Sequence, residues 1–238
     1  MGNDRWRNFS VSVKETDLWI AVSNTGEIHS VKSFSLNRIL FYRNIIETHI
    51  LEFPEFLSSL SPLVTPGGVH PLVREMYEAS RLALTGPMSA VAGVVAEYIC
   101  RDLLNEYGFP EVIVENGGDI FMKLTSPATI SVYAGGSPLS EKIGLVVRPE
   151  QTPVSICCSS GTVGHSFSFG NADACMIASE SGAVADAYAT AFCNKIKNSR
   201  MVRKVAEQAL KIPNIISVVI IKDDKVGLGG KIEVSVKN

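Results

Sequence analysis

In the stretch "GAVADAYATAF", Asp186 and Thr190 stand four residues apart. On a helix that spacing puts a carboxylate and a hydroxyl on one face, a single turn apart, where both can reach one ion. Both are hard oxygen ligands. Two such ligands with open positions suit Mg2+, which keeps waters and completes its shell from a substrate's phosphates. The same residues also suit plainer work, because a first-turn Asp interacts with the helix dipole and a helical Thr bonds its own preceding carbonyl. A second group is "ENGGD", where Asn116, Gly117, Gly118 and Asp119 either turn backbone N–H groups toward a phosphate or close a tight turn. A third is "SSGTVGH", in which Ser159, Ser160, Gly161 and Thr162 offer hydroxyls and a glycine backbone to a phosphate or base. In the same stretch His165 can accept a proton. The serine-nucleophile elbow G-x-S-x-G is missed by one position, since "GHSFS" ends in Ser168. Cys157 and Cys158, beside this loop, read either as reactive thiols or as small buried hydrophobes.

The elements that must hold these residues follow from apolar periodicity. "FSVSVKETDLWIAVS" alternates as a hairpin with its turn at Glu15, Thr16 and Asp17. "LNRILFYRNIIETHILEF" and "HPLVREMYEASRLALT" repeat apolar residues at helical steps. "GPMSAVAGVVAEYICRDLLNEYG" is a small-residue helix ended by Gly108. "EVIVENGGDIFMKL" reads as two strands about a Gly-Gly turn. The runs "TISVYAG", "KIGLVVR", "VSICC" and "ACMIAS" follow as strands. Then come the helix carrying Asp186, the helix "MVRKVAEQALK", the strand "IISVVII" and the closing "KIEVSVKN". The expected class is α+β, an antiparallel sheet with packed small-residue helices. The likeness of "AVAGVVAEYI" to "AVADAYATAF" raises an internal pseudo-duplication.

The chain of 238 residues is 46% hydrophobic and 19% charged, enough to bury a sizeable core. With 22 basic and 24 acidic residues the net charge is −2, which argues against nucleic acid and against an anionic membrane surface as partners. The polar start carries no signal-peptide pattern, and no apolar run reaches the ~18 to 20 residues that span a bilayer, so a cytoplasmic location is expected. Five cysteines without a C-x-x-C pair read as reduced thiols, and four scattered histidines show no zinc spacing.

The order "GPMSAVAGVVAE", "VIVENGGDI", "SSGTVGHSFSFGNADA", "ADAYATAF" resembles the ApbE superfamily, the FAD:protein FMN transferases, and most closely its short branch of ApbE-like proteins. The resemblance implies one ApbE-like, T-fold-like domain over residues 1–238. It also implies a flavin site with FAD or a related nucleotide against Asn116 to Asp119 and Ser159 to Thr162, Mg2+ at Asp186 and Thr190, and His165 and Asp186 as catalytic residues. The activity it implies is Mg-dependent transfer of FMN from FAD to a protein threonine, so that a nucleotide and a protein acceptor are the partners. The short branch suggests an alternative, a non-catalytic accessory role in sulfur assimilation and homocysteine formation, with a sulfur-transfer partner.

Overall fold

Strand residues that alternate between two apolar surroundings set the architecture. In Val112–Asn116, Val112 and Val114 point into one core while Ile113 points into another. The computed structural model describes residues 5–23, 28–162 and 170–237. In chain order its elements are β1 (Trp6–Val13), β2 (Thr16–Ser23), α1 (Ile28–Glu52), α2 (Glu55–Ser58), α3 (Pro71–Ala83), α4 (Val91–Tyr107), β3 (Val112–Asn116), β4 (Asp119–Lys123), β5 (Ala128–Ser131), β6 (Ile143–Val147), β7 (Val154–Ser159), β8 (Ala174–Ser179), α5 (Gly182–Lys195), α6 (Val202–Ala209), β9 (Ser217–Lys222), β10 (Lys225–Gly230) and β11 (Glu233–Val236).

Eight strands form one antiparallel sheet in the order β1-β2-β3-β4-β7-β8-β9-β10, and β11-β6-β5 form a second. Helices cover one face of the large sheet and the small sheet covers the other. Cys157, Cys175, Ile177, Val218 and Ile220 therefore face the helices, whereas Ile156, Met176, Ala178, Val219 and Ile221 face Leu145 and Val147. Burial on both faces explains why these strands read as continuous apolar runs and not as alternating ones. The α+β reading holds. No single helix among the described residues is long and apolar enough to cross a membrane.

Local signals act as expected in several places. Pro71 opens α3 behind His70, whose Nδ1 accepts from Leu72 N–H, and Gly108 ends α4 at φ 63°. The first hairpin differs from expectation. Thr16 pairs with Val13 inside the ladder, so the turn is Lys14–Glu15, with Lys14 at φ 53°.

Candidate cation and nucleotide site

The site lies at the end of the large sheet where β3 turns into β4. Gly117 and Gly118 have φ of 63° and 104°, the left-handed pair that a two-residue hairpin demands. The Gly118 N–H donates to Glu115 Oε1 at 2.6 Å. The turn therefore satisfies its own strand and does not present that N–H to an anion. Its flanking pair, Asn116 and Asp119, sends side chains inward. Asn116 Nδ2 donates to Ala92 O at 3.1 Å, and Asp119 Oδ1 accepts from Cys158 N–H at 3.1 Å.

Helix α5 supplies the other half. Ser181 caps it by accepting from Val184 N–H, and one turn along, Asp186 Oδ2 accepts from Gly93 N–H at 2.9 Å, tying α5 to the start of α4. Asp119, Asp186 and Thr190 line one cleft of about 350 Å³ together with Thr85, Ser89 and Asn194. Burial pushes both carboxyl groups above the ordinary carboxylate range. For Asp119 the charge of Asp186 adds to that push, and for Asp186 the N–H groups of Gly93 and Ala92 oppose it. Two carboxylates buried this close repel when both ionise, and a divalent cation relieves the repulsion.

The described residues contain no group of three or more His, Cys, Asp or Glu side chains able to hold a metal. The donor set is two carboxylates and a hydroxyl. It suits a hard cation that keeps water and takes phosphate oxygens, so the residues present fit Mg2+.

The sequence associates Asp119 with a nucleotide-binding turn, but the fold brings it to the cleft of Asp186. The serine-glycine loop goes elsewhere. Ser159 is buried in register with Cys175, and Gly161 N–H donates to Ala172 O at 2.9 Å. Gly161 sits so close to Gly170 that a Cβ would fall 1.8 Å from its carbonyl oxygen. Ser160 Oγ accepts from Thr162 N–H, and Thr162 Oγ1 donates to Asp173 Oδ1 at 3.2 Å, in a separate depression with Ser137 and Asp223. His165 lies outside the described residues. Cys157 is buried with its thiol near Ser155 Oγ and Gly182 O, and burial raises both its pKa and that of Cys158, the latter to about 12. Both remain thiols at neutral pH.

Sequence reasoning does not anticipate a second cavity of about 670 Å³ between α1 and α4. It shares Leu57, Met88, Val91 and Ala92 with the cleft of Asp186. The apolar face of α1 was its one visible signal.

The fold is that of ApbE-like proteins. The family model described as AbpE bacteria matches residues 1–215, and the chain belongs to that family. It is 37% identical over 231 residues to a UPF0280 protein of Methanococcus aeolicus, covering 95% of this chain and 91% of that one. It is 35% identical to a UPF0280 protein of Methanocaldococcus jannaschii, covering 98% and 94%. Among solved structures it is similar to the flavin transferase ApbE from Vibrio cholerae, with TM-score 0.57, 12% identity, and coverage of 94% and 96%. It is also similar to the ApbE protein of Thermotoga maritima, with TM-score 0.56, 14% identity, and 97% coverage of both chains.

Proposed function

We propose that this protein binds a flavin dinucleotide together with Mg2+ and transfers FMN to a hydroxyl of a protein acceptor. The observation that carries the reading is the convergence of Asp119 and Asp186, both buried and both raised in pKa, with Thr190 in one cleft. The structural likeness to a flavin transferase supports the choice of ligand.

A cation held by Asp119, Asp186 and Thr190 would supply charge neutralisation at the diphosphate. Gly93 and Cys158 fix the two carboxylates through their N–H groups, so the cleft need not reorganise as charge develops. In the reaction the acceptor's hydroxyl oxygen bonds to the FMN phosphorus. The bond from that phosphorus to the bridging oxygen breaks, AMP leaves with the electron pair, and the hydroxyl proton passes to a base, for which His165 is the candidate.

Purified protein mixed with FAD, Mg2+ and a threonine-bearing acceptor should release AMP and leave flavin attached to the acceptor. Flavin binding that depends on Asp186 without AMP release would favour the accessory role in sulfur assimilation. No binding of flavin with or without Mg2+ would overturn the proposal.

A further inference from the structure

We propose that the protein self-associates through the outer face of α1, two copies packing their first helices antiparallel about a two-fold axis at Leu40 and Phe41. This association does not depend on what the cleft of Asp186 binds.

Helix α1 is 25 residues long, and it packs on the rest of the chain through one side, with Val31, Ile39, Tyr42 and Ile46 buried. From Ser33 to Leu51 every exposed residue of the other side is uncharged. Both arginines of this span turn to partners within the chain, Arg38 to Asp102 and Arg43 to Glu15 and Glu47. Leu40 and Phe41 stand 49% and 46% exposed at the middle of the helix, and Leu51 84% at its end. A solvated helix face carries charge, whereas uncharged residues at steps of three and four make a seam for another helix.

The order of residues along that seam points to a second copy of the same chain. From the centre between Leu40 and Phe41 it reads Asn44 and then Thr48 in one direction, and Asn37 and then Ser33 in the other, at equal distances. In an antiparallel two-fold pair each residue meets the one equally far from the centre on the other copy. Asn37 therefore meets Asn44 and Ser33 meets Thr48, each twice, while Leu40 and Phe41 meet their own copies. Every amide and hydroxyl has both donor and acceptor, so the facing pairs satisfy each other, and polar pairs in a helix seam fix its register.

Charge sets the direction. Lys32 is exposed near the start of α1, and Glu52 and Glu55 are exposed at and just past its end. None of the three forms an ion pair among the described residues. An antiparallel copy brings the basic end beside the acidic end and opposes the helix dipoles, whereas a parallel copy stacks like on like.

Analytical ultracentrifugation of the full chain over a dilution series reads the association. Wild type should be a dimer. Leu40→Lys, at a half-exposed position, should stay folded by circular dichroism and associate roughly a hundredfold more weakly or worse, because it buries two like charges together. Leu40→Glu should do the same, and mixing the lysine and glutamate variants should restore the dimer. Direction is read with Leu40 intact. Asn37→Cys mixed with Asn44→Cys should give a disulfide-linked dimer on mild oxidation, with wild type treated alike as the background from its own thiols. Asn37→Cys alone should not link, because two copies of Asn37 lie about 10 Å apart along the helix axes, beyond the ~7 Å between Cα atoms that a disulfide spans. A wild type monomeric throughout the series, a dimer that Leu40→Lys leaves intact, charge variants that stay apart on mixing, or Asn37→Cys linking to itself in place of Asn44→Cys would each overturn the proposal.

Discussion

Asp186 and Gly93 meet across the contact of α5 with α4, the carboxylate Oδ2 accepting from the backbone N–H at 2.9 Å. The relation is reciprocal between the helices, because Glu97 of α4 accepts from Gly182 N–H, the first residue of α5, at 2.6 Å. Each helix start is thus capped by a carboxylate from the other, a favourable place for negative charge. The same carboxylate that would hold a cation is part of the joint between the helices.

That joint predicts a coupled effect at its glycines. A Cβ on Gly93 would lie 2.3 Å from Gly182 O, and one on Gly182 would lie 2.2 Å from Gly93 O. Backbone must move to make room, at a cost of about 1–3 kcal/mol. Gly93→Ala should therefore lower the melting temperature and weaken Mn2+ binding together, since Asp186 moves with the helix. Calorimetry and Mn2+ titration on one sample check this, and a stability loss with unchanged Mn2+ affinity would separate the joint from the site.

The raised pKa values of Asp119 and Asp186 give the cation-free protein a pH dependence of definite sign. Their folded-state values lie above the unfolded value of about 3.9, so the native state holds more protons in the window between them. Stability is then greatest at the acid end of that window and falls as pH rises through the folded pKa values. At pH 8 Asp119→Asn should be more stable than wild type without cation, on the order of 1 kcal/mol or more, with a flatter pH profile. Mg2+ should stabilise wild type at pH 8 far more than at pH 5. Thermal melts across pH with and without Mg2+ decide it, and a wild-type stability that rises with pH over this window would contradict it.

Much of this was legible from neighbouring residues. The Gly-Gly turn, the small-residue helices and the one-turn spacing of Asp186 and Thr190 are local patterns, and the fold keeps them. The pairing of Asp119 with Asp186 was not legible, since only the ladder β4-β7-β8 and the crossing of α5 bring them together. Strand β10 was missed for a related reason. Its "KVGLGG" has three glycines in six residues and no strand pattern, yet Gly227 is there because α6 packs on the strand so closely that a Cβ would lie 2.6 Å from Val202 O. In the serine-glycine loop, the close approach of Gly161 to Gly170 is likewise a contact that the local pattern does not signal.

Gly118→Val tests what the β3–β4 turn is for. The glycine sits at φ 104°, and the closest atom to a Cβ there is Cys158 O at 3.7 Å, so the cost comes from backbone strain and not from crowding. A β-branched residue in that region costs about 1–3 kcal/mol. The variant should melt lower, and its ligand affinity at temperatures where it is folded should stay within a few-fold of wild type. Intact stability with lost nucleotide binding would mean that the turn contacts the ligand.

Thr190 tests whether the cleft binds a cation by itself or with a phosphate. Asp119, Asp186 and Thr190 supply three oxygen-bearing side chains, fewer than the six positions of an octahedral Mg2+ shell, and the cation gives up its waters reluctantly. Binding of Mg2+ alone should therefore be weak, and pyrophosphate should strengthen it at least about tenfold by filling further positions. Thr190→Val keeps the shape of the side chain and removes the hydroxyl, whereas Thr190→Ser keeps the hydroxyl. If the hydroxyl is a ligand, the valine variant should lose roughly tenfold or more in Mg2+ affinity in the presence of pyrophosphate, with serine close to wild type. If instead it only bonds the preceding turn of α5, both variants should bind Mg2+ alike and differ only in melting temperature. Isothermal titration of Mg2+ into the three proteins, with and without pyrophosphate, distinguishes the two, and equal affinities across all conditions would remove Thr190 from the cation site.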